Sequence, residues 1–111
     1  MYHLYGISNC DTVKKAKKHL EKKDIEFQFH DFKKNILTRE LLERWKKFQG
    51  DWPVNSRGRI FKQLKDEYIK ATDAKKINLM LENTSLIKRP VLEKGSKVLY
   101  FGYDVDFYNG L

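Results

Sequence analysis

The only cysteine of the chain, Cys10, lies within the stretch SNCDTVKK at positions 8–15, where one sequence pattern gives way to another. Residues 2–7 are almost continuously apolar, which is typical of a strand that is covered on both faces. After Cys10, Val13, Ala16 and Leu20 recur at helical spacing. We therefore expect Cys10 at or just before the first turn of a helix, where backbone N–H groups have no intrahelical partner.

This position favours reactive cysteine chemistry. The free N–H donors and the positive end of the helix dipole stabilise a thiolate over a neutral thiol, and the thiolate is the nucleophilic form. Lys14 and Lys15 add positive charge one turn away. A lone cysteine is more often a small buried residue without chemistry, but the strand-to-helix junction and its basic surroundings favour the reactive alternative. The sequence predicts that Cys10 is a nucleophile.

Length and cysteine content limit the other possibilities. A chain of 111 residues is expected to form one domain that buries roughly two-thirds of its unfolded surface. A single cysteine excludes an intramolecular disulfide, and no signal peptide or membrane-spanning apolar run is recognisable. We expect a soluble, cytoplasmic protein in a reducing compartment. Without heptads or a long apolar surface run, the default expectation is a monomer.

The net charge of +8 raises the question of nucleic-acid binding. Many lysines are interleaved with acidic residues and fall opposite apolar stripes, as expected for solvated helix faces. The chain has no zinc-ligand spacing and no RNA-stacking motif, and basic charge alone gives only non-specific binding. A dedicated nucleic-acid function is not expected. His3, His19 and His30 lack metal-ligand spacing and are interpreted as strand and helix-surface residues, so no metal site is predicted.

The elements around Cys10 predict an α/β fold. Ile25, Phe27 and Phe29 alternate with polar residues, which is the period-two pattern of a half-buried strand. Strand, helix and strand within 32 residues form a βαβ unit with parallel pairing. Cys10 then lies at the carboxyl end of the first strand, where α/β folds place their chemistry.

Three helices are predicted between residues 38 and 84. Thr38 is a plausible N-cap and Gly50 a plausible end for the first, and Asp73 is a plausible cap for the third. The apolar stripes are predicted at Leu41, Leu42, Trp45 and Phe48 in the first helix, Ile60, Phe61 and Leu64 in the second, and Ile77, Met80 and Leu81 in the third.

A hairpin and a short helix are predicted to end the chain. Residues 91–93 and 98–101 read as strands around the turn signal KGS at 94–96. Asp104 is a plausible cap for a last short helix that contains Val105 and Phe107.

Two segments carry a resemblance to a known family. Residues 5–16, YGISNCDTVKKA, closely resemble the opening of the arsenate reductase/Spx (ArsC-like) family and, more narrowly, its YffB-like branch. Residues 87–90, IKRP, are similar to the arginine–proline element that the family carries before its third strand. The resemblance implies a thioredoxin-like fold over residues 1–111, with a helical insertion at about 38–84. It also implies a cis bond before Pro90.

The resemblance also suggests the binding residues. It implies that Arg89 faces the Cys10 loop and binds an oxyanion or carboxylate, for which the planar guanidinium is suited. Arg57, within NSRG at 55–58, matches an anion-binding arginine of the branch, with Arg59 as the local alternative. The remaining candidate binding positions around the cysteine are Asn9, Thr12, Lys14 and Pro90.

Departures from the family patterns bear on the substrate. Arsenate reductases of the family carry a third arginine on the last strand, where this chain reads KVLYFG at 97–102, and a histidine four residues before the cysteine, where it has Gly6. Spx regulators commonly have a C-x-x-C switch, whereas this chain has Val13 in place of the second cysteine. The losses argue against arsenate as the substrate, and the lone cysteine requires an external thiol.

The sequence therefore predicts a glutathione-dependent thiol reductase with Cys10 as nucleophile. Glutathione is the expected co-substrate, no tightly bound cofactor is expected, and glutaredoxin is a candidate partner. Two alternatives remain open. One is an arsenate reductase that uses glutathione or glutaredoxin, and the other is a non-catalytic Spx-like regulator that binds RNA polymerase.

Overall fold

The computed structural model describes all 111 residues. The chain divides into two compact units, residues 1–36 with 89–111, and residues 37–88. The first unit contains β1 (Tyr2–Gly6), α1 (Asp11–Lys22), β2 (Phe27–Asp31), β3 (Val91–Lys94), β4 (Lys97–Phe101) and α5 (Val105–Asn109), with a 3-10 turn at Phe32–Lys34. The second contains α2 (Arg39–Gln49), α3 (Arg59–Lys70) and α4 (Asp73–Glu82), with a 3-10 turn at Thr84–Leu86.

The first unit is built on a four-stranded mixed sheet in the order β2-β1-β3-β4. β1 pairs in parallel with β2, and the predicted βαβ unit is confirmed. β3 pairs antiparallel with both β1 and β4. Gly95 adopts a positive φ of 61° in the turn between β3 and β4, a conformation that glycine adopts without steric cost. The predicted hairpin is therefore also confirmed.

One face of this sheet forms the apolar core with α1 and α5. Leu4 and Leu92, which are register partners on β1 and β3, are fully buried with Ala16 and Leu20 of α1. Tyr108 of α5 is fully buried against the same cluster. The apolar face of α1 that the spacing of Val13, Ala16 and Leu20 predicted is confirmed, since all three residues are buried. This packing fixes α1, and with it Cys10, against the sheet.

The opposite face of the sheet carries polar rings. Because side chains alternate along a strand, His3 and Tyr5 point away from Leu4. His3 Nδ1 lies 2.9 Å from His30 Nε2, and the Tyr5 ring stacks on His30 with centroids 4.5 Å apart. Burial and the neighbouring His3 lower the pKa of His30, while Glu93 acts in the opposite direction. These half-buried histidines are more constrained than the strand-surface residues that the sequence suggested.

The second unit is helical, as predicted. Thr38 Oγ1 accepts a hydrogen bond from the Leu41 N–H, and Gly50 ends α2 in a left-handed conformation at φ 91°. Both predicted caps of α2 are confirmed. Val54 and Ile87 form an isolated antiparallel bridge that ties the loop after α2 to the end of the unit. No helix of the molecule is long and apolar enough to span a membrane.

Several details of the helical unit were predicted wrongly. Thr72 rather than Asp73 caps α4, because its hydroxyl accepts from the Lys75 N–H. Leu79 is buried in α4, whereas Leu81 is 38% exposed. Phe48 is 52% exposed although its spacing placed it on the apolar stripe of α2. Helical periodicity located each helix correctly, but it did not predict which residues at the edge of each apolar stripe are buried.

Candidate functional site

Cys10 is the N-cap of α1, with extended backbone angles of φ −86° and ψ 128°. A turn connects it to β1, and its N–H donates to the Ile7 carbonyl at 3.1 Å. Its own carbonyl accepts from the Lys14 N–H at 3.0 Å, which closes the first turn of the helix. The predicted position at the carboxyl end of β1 and the start of α1 is confirmed.

The close approach of α1 to β1 requires glycine at the end of the strand. A Cβ atom on Gly6 would lie 2.7 Å from Val13 Cγ2, which is closer than side chains pack. Val13 is fully buried and β-branched, so its side chain has little freedom to move away. Gly6 and Val13 together set how near the first turn of α1 comes to the sheet.

The surroundings of the thiol lower its pKa overall. Partial burial raises the pKa of Cys10, but the backbone N–H groups of Val13 and Thr12 and the side chain of Arg89 lower it by a larger total amount. The Cys10 side chain does not form a regular capping hydrogen bond with α1. The N–H groups of Val13 and Thr12 therefore stabilise the thiolate by their proximity to the sulfur. Donors that lie near a thiolate in this way are typical of reactive cysteines.

Arg89 and Pro90 approach Cys10 from the segment before β3. The Arg89–Pro90 peptide bond is cis, as the resemblance implied. Pro90 is buried, and its carbonyl accepts from the Gly102 N–H at 2.8 Å at the end of β4. The Arg89 side chain lies close enough to the Cys10 thiol to lower its pKa, both as a hydrogen-bond donor and through its charge. The structure therefore brings the two principal candidates of the first unit together.

The other candidates differ in position. Asn9, Thr12 and Lys14 have exposed side chains around the Cys10 turn, and Thr12 acts on the thiol through its backbone N–H rather than its hydroxyl. Arg57 belongs to the helical unit, where it is exposed in the loop before α3 and its N–H donates to Asn55 Oδ1 at 3.3 Å. Arg59, the local alternative, is the first residue of α3.

A comparison with protein families decides the relationship of this chain. The model of the ArsC family matches residues 5–111. The chain belongs to the ArsC family. A curated relative from Haemophilus influenzae, described only as an uncharacterized protein, is 38% identical over 89% of each chain. The global transcriptional regulator Spx of Streptococcus mutans is 25% identical over 96% of this chain and 79% of its own length.

Solved structures of similar proteins have the same fold. The YffB protein is 39% identical and superposes with a TM-score of 0.84, covering 99% of this chain and 97% of its own. An arsenate reductase-related protein from Brucella melitensis is 38% identical, with a TM-score of 0.76 and coverages of 98% and 92%. A glutaredoxin from Archaeoglobus fulgidus, 17% identical, matches with a TM-score of 0.52 over 99% and 83% of the two chains. The thioredoxin-like fold is thereby confirmed.

Substitution of Arg89 tests its effect on the thiol. In Arg89→Gln the charge and the charged donor are lost, so we expect the pKa of Cys10 to rise and alkylation at neutral pH to slow. Arg89→Lys keeps the charge but not the planar donor, so its effect should be intermediate. The rate of iodoacetamide alkylation as a function of pH measures both variants. An Arg89→Gln profile that coincides with the wild type would show that the arginine does not act on Cys10.

Proposed function

We propose that this member of the ArsC family is a glutathione-dependent thiol reductase with Cys10 as its single nucleophile. The observation that carries the proposal is the convergence of two backbone N–H groups and Arg89 on the Cys10 thiol, which lowers its pKa. With no second cysteine in the chain, the disulfide formed on Cys10 must be resolved by an external thiol.

The proposed reaction is a pair of thiol–disulfide exchanges. The Cys10 thiolate attacks the glutathione sulfur of a mixed disulfide, forming a Cys10–glutathione disulfide and releasing the substrate thiolate, which takes a proton from solvent. The thiolate of a second glutathione attacks the glutathione sulfur of that disulfide. Oxidised glutathione leaves and the Cys10 thiolate is regenerated. The electrons come from glutathione, so the scheme needs no tightly bound cofactor or metal.

Anion-binding groups are proposed to orient glutathione, which carries two carboxylates. Arg89 is suited to one of them, because a guanidinium holds a carboxylate through two parallel hydrogen bonds. The free N–H groups at the start of α1 favour negative charge nearby. Asn9, Thr12 and Lys14 are exposed around the same turn. Arg57 is proposed as a further carboxylate ligand on the strength of the NSRG resemblance.

Arsenate reduction is the second candidate of the same chemical class. It is favoured by a solved structure described as a possible arsenate reductase from Streptococcus mutans, which is 28% identical with a TM-score of 0.77 and covers 95% of this chain and 92% of its own. Against it stand the absence of an arginine on β4 and the glycine at position 6. The negative charge of arsenate would then depend on fewer cationic groups.

A non-catalytic role is the candidate from a different class. It is favoured by the similarity to Spx regulators along almost the whole chain. Such a regulator would bind RNA polymerase or another protein, and Val13 would preclude the disulfide switch of the C-x-x-C type.

Protection of Cys10 from alkylation distinguishes these candidates. We expect the thiol to react with iodoacetamide at pH values well below the ordinary cysteine pKa of about 8.5. We also expect S-methylglutathione, which cannot take part in thiol–disulfide exchange, to slow that reaction. Protection by arsenate but not by the glutathione analogue would favour arsenate reduction. An ordinary pH profile without protection by either would contradict both enzyme proposals and favour the regulator.

A further inference from the structure

A second cationic feature of the first unit lies away from Cys10, along the outer side of α1. A cavity of about 400 Å³ opens there towards the C-terminal segment of the chain. Four lysines of α1 and its end line it, namely Lys15, Lys18, Lys22 and Lys23. At 1.5 Å per residue, Lys15 and Lys22 are separated by about 10 Å along the helix axis. None of the residues that line the cavity is acidic.

The wall opposite the lysines is held in place by hydrogen bonds between α1 and the end of the chain. His19 Nδ1 lies 2.7 Å from the Tyr103 hydroxyl, and His19 Nε2 lies 2.8 Å from Asn109 Oδ1. Because an amide oxygen only accepts, Nε2 carries a proton and donates to Asn109. Lys23 Nζ donates to the Asn109 carbonyl at 2.6 Å. The cavity therefore has a fixed polar and aromatic wall.

The charge on the lysine side is not balanced within the chain. The Nζ atom of Lys17 lies 3.6 Å from the centroid of the Phe29 ring, and Lys23 is hydrogen-bonded to the Asn109 carbonyl. Lys15, Lys18 and Lys22 have no ion pair or hydrogen bond. Spaced at i, i+3 and i+7, they lie on one face of the helix, where like charges repel one another.

The helix dipole explains only part of this charge. Cations near the last turn interact favourably with the negative end of a helix, which accounts for His19 and Lys22. The effect falls off within one turn, so Lys15 and Lys18 lie outside its reach. An anion that binds all three ammonium groups would remove the repulsion.

We propose that this cavity binds a phosphorylated small molecule with at least two negative charges and about the size of a mononucleotide. The lysines suit phosphate, which ammonium groups bind as point charges without the planar geometry that arginine requires. The volume exceeds that of one phosphate and falls within the range of small-molecule sites, about 300–1,000 Å³. The rings of Tyr103 and His19 offer a surface to the remainder of the ligand.

Titration of the full-length chain with ADP and with pyrophosphate, followed by amide chemical shifts, tests the proposal. We expect saturable shifts at His19, Tyr103 and Asn109 with both probes, and tighter binding of ADP if the aromatic wall contributes. Equal concentrations of chloride should not reproduce them. Shifts confined to Cys10 and Arg89 would overturn the proposal, because the anions would then bind only at the thiol site.

A pair of charge-matched variants separates a site from general basicity. Lys18→Glu places an anion in the cavity and creates a favourable Glu–Lys pair with Lys22, so the helix should remain folded while ADP binding weakens by about tenfold or more. Lys65→Glu makes the same charge change on an exposed, unpaired lysine of α3 and should leave binding unchanged. Equal losses in both variants would overturn the proposal. If a short single-stranded oligonucleotide binds more tightly than ADP at the same residues, the proposal of a small-molecule ligand is overturned in favour of nucleic acid.

Discussion

Cys10→Ser is expected to eliminate turnover of glutathione mixed disulfides, lowering kcat/KM by at least about 1,000-fold. The hydroxyl of serine ionises far above neutral pH and cannot form the disulfide intermediate. Serine is also a preferred helix N-cap, so α1 and the fold should be retained. The measurement is the rate of glutathione oxidation with a mixed disulfide as substrate, with a circular dichroism spectrum as the control for folding.

The same variant gives a readout that does not depend on the substrate. Because the folded state lowers the pKa of Cys10, the thiolate contributes stability that is fully present above the unfolded pKa of about 8.5 and is lost as the pH falls through the folded pKa. Cys10→Ser removes this dependence. Wild type should therefore gain stability relative to the variant as the pH rises through that interval, as measured by urea unfolding.

The two measurements together identify which part of the proposal fails. Full turnover in Cys10→Ser would contradict a nucleophilic role for this residue. A normal pH-dependent gain in stability without any turnover in the wild type would leave a reactive thiol whose substrate is not a glutathione disulfide. A regulator would show unchanged partner binding in Cys10→Ser.

Local sequence signals were sufficient where the physical cause is local. The βαβ pattern, the cap at Thr38 and the turn at Gly95 depend on nearby residues, and each was predicted correctly. The N-cap position of Cys10 followed from the same kind of signal. The proximity of Arg89 to Cys10 did not, because 79 residues separate them and only the resemblance suggested that they meet.

The errors arise from tertiary packing. Nothing in the sequence around His3 indicates that it bonds to His30 across two parallel strands, since that pairing depends on the register of the sheet. The cavity along α1 is likewise absent from local patterns, because Tyr103 and Asn109 reach it from the far end of the chain. The helical periodicity of α1 predicts a lysine-rich outer face, but it does not predict that Tyr103 and Asn109 lie opposite that face.

Gly6→Ala is expected to destabilise the fold by about 1–3 kcal/mol, the usual cost of overpacking a core position. The added Cβ would meet Val13 Cγ2 at 2.7 Å. The backbone of Gly6 is not in the left-handed region, so alanine carries no conformational penalty there and the cost is steric. Urea unfolding at constant pH measures the change, with Gly110→Ala, where the nearest atom would lie 3.5 Å away, as a control that should alter stability little.

A double-mutant cycle isolates the contact. Val13→Ala alone leaves a cavity and should cost about 1.5–3 kcal/mol, but it also removes the methyl groups that a side chain at position 6 would meet. The double variant should therefore be more stable than the sum of the two single changes predicts, by at least about 0.5 kcal/mol. If the two changes in stability are strictly additive, α1 as a whole moves to make room for the added Cβ atom, and the Val13 side chain is not the obstacle.

This contact connects the two departures of the chain from its relatives. Gly6 stands where arsenate reductases of the family carry histidine, and Val13 stands where the C-x-x-C motif has its second cysteine; in this structure a Cβ atom at position 6 would lie against Val13. A histidine at position 6 needs the space that Val13 fills. We therefore expect Gly6→His to unfold or displace α1 on the wild-type background, and to be accommodated far better with Val13→Ala. If both backgrounds tolerate histidine equally, as measured by their midpoints of unfolding, the two positions vary independently and Val13 does not exclude the histidine.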